Sequence, residues 1–145
     1  MDKSHYAKLQ FKHYVVEFLD FKINPEFNSD DDSIEIELGF NFDLEIYSEN
    51  NSAQLSLGCE IFKDYIEKGL PFYMNTKLVG YFGYDFSIEE KNLAKMLKIN
   101  ATAILFPYLR AIVSTVTSLC SVPTLLLPTI NIHKLLEEKD NRDGQ

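Results

Sequence analysis

The chain has 145 residues, 46% of them hydrophobic, with 11 Phe and 8 Tyr but no Trp. That is enough apolar mass for one domain with its own core, and it excludes global disorder. A formal net charge of -8 without any run of Lys and Arg argues against nucleic-acid binding and fits partners that present basic or apolar surfaces.

The N-terminal MDKSHYAKLQFKHY lacks the apolar stretch and small-residue cleavage site of a secretion signal. Residues 9–23 read as a strand. Leu9, Phe11, Val15, Leu19, Phe21 and Ile23 form one apolar face, broken by His13 and Glu17, and Tyr14, Val16 and Phe18 cluster on the other. A strand apolar on both faces is expected inside a larger sheet or against another subunit. The segment 24–33, NPEFNSDDDS, carries turn chemistry around one aromatic, Phe27. Its Asp30, Asp31 and Asp32 lack the ligand spacing of a calcium loop.

Residues 34–46 alternate without a break. Ile34, Ile36, Leu38, Phe40, Phe42, Leu44 and Ile46 are separated by Glu35, Glu37, Gly39, Asn41, Asp43 and Glu45. Only a strand with one buried face sorts residues this way. Residues 53–67 and 72–86 predict a hairpin about Lys68, Gly69, Leu70 and Pro71, with Gly80 and Gly83 marking a bulge or a close backbone approach.

A short helical piece from Glu89 to Leu97 is expected next. The main helix should begin near Ile104, because Pro107 is tolerated best in a first turn. Leu105, Leu109, Ile112, Val116 and Leu119 recur at helical spacing as a buried seam. Tyr108, Ala111, Thr115 and Ser118 form a flatter line suited to a neighbouring helix. Arg110, Pro107, Pro123, Pro128 and several hydroxyl residues interrupt the apolar stretch 104–130, so it predicts no membrane span, and the expected location is the cytosol. Ser121, Val122 and Pro123 end the helix, a ribbon TLLLPTI follows, and Asn131 caps a last short helix. Residues 1–138 are thus expected to form one domain and 139–145 a polar, frayed tail.

Catalytic chemistry has nothing to rest on. His5, His13 and His133 have no metal-ligand spacing, and His133 reads as a helix-surface residue. Cys59 and Cys120 lie in separate apolar segments and read as small buried hydrophobes. No nucleophile elbow, phosphate loop or dinucleotide fingerprint is present, and the acidic residues of 35–45 line one strand face instead of pairing in a cleft. No enzyme, cofactor or metal is expected.

Ile104, Leu105, Phe106, Pro107, Tyr108 and Arg110, followed by Pro123, Leu125, Leu127, Pro128 and Asn131, resemble the most recognisable segment of the SecB export chaperones. The element order is also similar. The resemblance implies an α+β fold, a four-stranded antiparallel sheet followed by a long helix and a short C-terminal helix. It further implies a homotetramer, a dimer of dimers, with strands pairing within each dimer and long helices joining the two. Tyr14, Val16, Phe18, Tyr108, Ala111, Thr115 and Ser118 would supply those interfaces, although internal packing explains the same features.

By the same resemblance the chain would hold unfolded polypeptides without ATP, in an apolar groove lined by Phe27, Leu125, Leu127, Ile130 and Leu136; Tyr108, at the start of the helix, is a further aromatic candidate. Ordinary core packing is the alternative for each, evenly balanced against the groove for Leu125 and Leu127 and weighing more heavily for Leu136. Export members of the family dock on SecA through acidic residues of the first and fourth strands. The corresponding positions here carry Phe18 and Lys22, and Lys77, Leu78 and Val79, which argues against docking of that kind. Protection of an antitoxin in a toxin–antitoxin–chaperone module, or a non-chaperone adaptor on the same fold, are the remaining readings.

Overall fold

The computed structural model describes residues 9–28, 34–85, 90–128 and 130–143. Four strands, β1 (Leu9–Ile23), β2 (Leu38–Tyr47), β3 (Ser52–Ile61) and β4 (Phe72–Tyr84), precede two helices, α1 (Glu90–Leu119) and α2 (Ile132–Asp143). The sheet is antiparallel throughout, in the order β1-β4-β3-β2. Both β1 and β2 are therefore edges. His5, the Asp30–Asp32 run, Phe86 and Glu89 lie outside the described residues.

β3 and β4 carry the core. Leu55, Leu57, Cys59 and Ile61 alternate inward from β3, as do Phe72, Met74, Leu78 and Phe82 from β4, and all are buried. The first arm of this hairpin ends at Ile61 and not at residue 67, because Phe62 turns into a left-handed conformation (φ 58°) and residues 64–69 form turns. α1 crosses the inner sheet face and buries Leu97, Ala101, Leu105, Leu109 and Val113, a stripe at intervals of four. Gly80 lets it approach: a Cβ there would stand 2.9 Å from the Phe82 ring and 3.3 Å from Leu105. The expected close approach is real.

The helix differs from expectation. It is continuous over 30 residues, with Pro107 in its interior. A proline there removes the bond to the carbonyl of residue 103. Ala103 and Pro107 lie on the same exposed side, so water can satisfy that carbonyl, while the buried stripe holds the two halves in line. The seam is shifted too. Ile112 and Val116 are only half-buried and Leu119 is 78% exposed, whereas Val113 and Thr117 point inward. Taken whole, Asn92–Leu119 is long and apolar enough to cross a membrane, at a mean hydropathy of 1.4. Its inward stripe instead packs on the sheet.

β1 also departs from a single alternation. Its pairing with β4 slips between Phe11 and His13 and again between Val16 and Phe18, leaving Lys12 and Glu17 as extra residues. Each bulge reverses which parity faces inward. Phe11, Tyr14, Val16, Leu19 and Phe21 thus share the α1 side, opposite Phe82, Gly80, Leu78, Thr76 and Met74. Val15 and Phe18 turn to the outer face. β2 begins at Leu38 and not at Ile34, and Ile36, before it, is 44% exposed; from Leu38 the strand alternates as expected, with Phe40, Phe42 and Leu44 half-buried and their neighbours exposed.

Ser121 (φ 61°) closes α1 in the left-handed conformation usually taken by glycine. The Thr117 hydroxyl then accepts the Leu125 N–H at 2.9 Å and donates to the Val113 carbonyl at 2.8 Å. Arg110 Nε donates to the Leu127 carbonyl at 3.1 Å. These bonds lay the ribbon along the helix. Asn131 caps α2, its Oδ1 accepting the Lys134 N–H at 3.1 Å. α2 continues to Asp143, so most of the segment expected as a frayed tail is helical.

Candidate functional site

β2, the first half of α1 and α2 surround an open groove of about 650 Å³. Phe42 and Leu44 come from the inner face of β2, Ala94 and Ile99 from α1, and Leu136 from α2. The strand alternation, the helical spacing and the Asn131 cap each bring one wall. Leu136 is 4% exposed and forms the deepest apolar contact of α2. Polar groups stand on the rim. Lys95 and Lys98 project from α1, and His133 Nδ1 lies 3.4 Å from the Glu137 carboxylate one turn along α2. A second concavity, of about 300 Å³, continues over α1 past Asn92, Met96 and Asn100, sharing Lys95 and Ile99 with the first.

Such a surface can cover apolar segments of another chain. Burial of apolar area contributes roughly 25 cal/mol per Å² and asks for little sequence in return. Polar rim groups add selectivity more than affinity. Among the described residues no cluster of His, Cys, Asp and Glu could hold a metal ion. Burial pushes the Cys59 thiol up to about 12, which keeps it protonated and inert.

The residues expected to line a groove part company. Leu136 is buried like the core leucines and borders the concavity from α2. Leu125 (8% exposed) and Leu127 (1%) belong to the core, because the ribbon is bonded down on α1, and only Leu126 between them faces outward, at 69%. Ile130 packs against the same core, and Phe27 is half-buried in the turn after β1. Tyr108 stands over β1, the sheet edge opposite β2, its ring 5.5 Å from Phe11 and 4.8 Å from Tyr14. Phe42, Leu44, Ala94 and Ile99 were not foreseen as site residues. The unbroken alternation of β2 carried part of that signal, since it placed Phe42 and Leu44 on the helix side of an edge strand.

A second uncovered surface runs along β1 and the outer side of α1. Val15, Val16, Phe18, Leu19 and Ile23 are each more than 40% exposed. Ala111, Thr115 and Ser118 are exposed beside Tyr108 (39%) on the helix. On the outer sheet face Phe18 and Lys22 stand opposite Lys77 and Tyr73. Lys77 pairs with Glu17 at 3.0 Å, and Lys22 with Asp20 at 3.7 Å. The Tyr73 phenol is pushed up to about 12, first by burial and then by its hydrogen bond to Glu60 at 2.8 Å.

The family described as "Preprotein translocase subunit SecB" matches residues 12–143. The chain is 33% identical over 131 residues to the uncharacterized protein MJ0357 of Methanocaldococcus jannaschii, which covers 86% of this chain and 79% of that protein. It is 33% identical over 84 residues to the protein-export protein SecB of Anaplasma phagocytophilum, covering 55% of this chain and 53% of the other. In fold it is similar to the SecB-like chaperone Rv1957 of Mycobacterium tuberculosis, solved with a ChAD peptide from the HigA1 antitoxin. The TM-score is 0.69 at 14% identity, over 86% of this chain and 91% of that one.

Proposed function

The chain belongs to the SecB family, and from that premise we propose that it is a holdase whose β2–α1–α2 groove takes extended apolar segments of unfolded polypeptides. The observation that carries this reading is the family match across residues 12–143. It is not an enzyme; SecB-like proteins hold polypeptides and do not transform them, and the groove asks for no cofactor. SecB-family chaperones are soluble cytoplasmic proteins, and we place this chain among them in the cytoplasm.

The uncovered β1 edge and the Tyr108, Ala111, Thr115, Ser118 line support a homotetramer. β1 would pair with its counterpart within a dimer, and the helix lines would meet between dimers. An edge strand with this much exposed apolar surface is otherwise an aggregation hazard. The client reading divides on the outer sheet face. By the resemblance, Phe18, Lys22 and Val79 replace the acidic residues of export members, which favours a dedicated client such as an antitoxin over delivery to SecA.

The test is to dilute a chemically denatured protein into buffer with and without the purified chain and without nucleotide, and to follow light scattering. Suppression at near-stoichiometric amounts is the expected result. Unchanged scattering, with the chain itself folded by circular dichroism, would sink the holdase reading and favour the adaptor.

A further inference from the structure

The two halves of α1 are held to the molecule in different ways. The second half is pinned at several points. Leu105, Leu109 and Val113 sit in the main core, and Gly80 lets Leu105 come down on the sheet, since a Cβ there would stand 3.3 Å from it. Arg110 and Thr117 fasten the ribbon to the same half, at 3.1 and 2.9 Å. The first half joins a separate, smaller cluster, in which Leu93 and Leu97 meet Ala53 and Tyr84. Every α1 residue that borders either concavity lies in this half, between Asn92 and Asn100.

One turn between the halves carries two local costs. Pro107 leaves the carbonyl of Ala103 without its helical hydrogen bond. One residue earlier, the Thr102 hydroxyl is fully buried and has no partner among the described residues, although a helical threonine can bond the carbonyl four residues back. Unpaired buried polar groups are rare, and they gather where a structure is built to move or react.

We infer that the turn from Thr102 to Pro107 is a hinge, about which the first half of α1 swings away from β2 to widen the groove around a bound segment. This rests on the holdase reading above and names how its groove adapts to segments of different bulk. Bending costs least at this turn, because the bond it would break between residues 103 and 107 is already missing. Leu105 sets the pivot. Asn92 lies about 16 Å from residue 103 along the axis, so a swing of about 10° carries it roughly 3 Å, a displacement on the scale of one side chain. The Tyr108, Ala111, Thr115, Ser118 line lies beyond the hinge, so the subunit contact stays in place while the groove changes.

The test compares the full-length wild type with Pro107→Ala, which restores the amide, and Pro107→Gly, which restores it but keeps the turn soft. Native-state hydrogen exchange is read along α1. Binding of fluorescently labelled, reduced and carbamidomethylated lactalbumin, which stays unfolded, is read by anisotropy. In the wild type the amides of residues 93–101 should exchange at least roughly tenfold faster than those of 109–117, well within what a proline costs inside a helix. P107A should close that gap and bind the probe about three- to tenfold more weakly, whereas P107G should bind as the wild type does. Thr102→Val should narrow the gap in part. A gap absent from the wild type, a gap unchanged in P107A, or undiminished binding once it has closed overturns the inference. If the wild type binds the probe and P107A matches it throughout, only the hinge falls; if the wild type binds nothing, the holdase reading falls and the hinge's role falls with it.

Discussion

The ribbon after α1 and the strand β1 are both rich in apolar residues, yet two of the ribbon's three leucines are buried while five apolar residues of β1 stand open. Leu125 and Leu127 are 8% and 1% exposed, whereas Val16, Phe18 and Ile23 are 43%, 42% and 49% exposed. What separates them is attachment. The ribbon is held by Thr117 and Arg110, whose side chains take up its backbone N–H and C=O groups and so allow the leucines to sink. β1 is bonded to β4 along one edge only, and its two bulges spread apolar residues over both faces of an open strand. Hydrophobicity alone does not decide burial. A segment must also have its backbone polar groups satisfied by something that covers it.

That contrast can be broken in a graded way. Leu127→Ser removes a core side chain and buries a hydroxyl, and should cost about 3–5 kcal/mol in denaturant unfolding; an unchanged midpoint would mean that the ribbon is not core. Thr117→Val keeps the shape but strands the Leu125 N–H, and should cost about 1–3 kcal/mol. Faster hydrogen exchange confined to the ribbon would locate that loss, and exchange unchanged at Leu125 would count against the anchor. Val16→Lys together with Phe18→Lys should leave subunit stability within about 0.5 kcal/mol, because both sites are open. Their effect should appear in light-scattering mass, as a species smaller than the wild type. Equal masses would show that β1 is not the interface.

The fold was largely legible because its strongest signals are local. The alternation from Leu38 to Ile46, the apolar hairpin arms and the Asn131 cap each follow from the geometry of one element. The site was less so. Phe42 and Leu44 belong to a readable strand, but nothing in their spacing says that α2 stands off from them and leaves a groove. Pro107 argued for a helix starting at Ile104, since local propensity disfavours proline inside a helix. The packing of Leu97, Ala101 and Leu105 overrode it, as tertiary contacts outweigh a local cost of about 3 kcal/mol.

By itself, then, the sequence determined the kinds of element, their order and the inward face of β2, β3 and β4, but not their bounds, because strand and helix periods are properties of the backbone. Only the tertiary structure decided the phase of β1, since a bulge is set by the partner strand and leaves no mark on composition. It alone also decided that Leu125 and Leu127 are core while Ile99 and Lys95 border an opening. Those outcomes depend on which surfaces meet, and that is a property of the assembled chain.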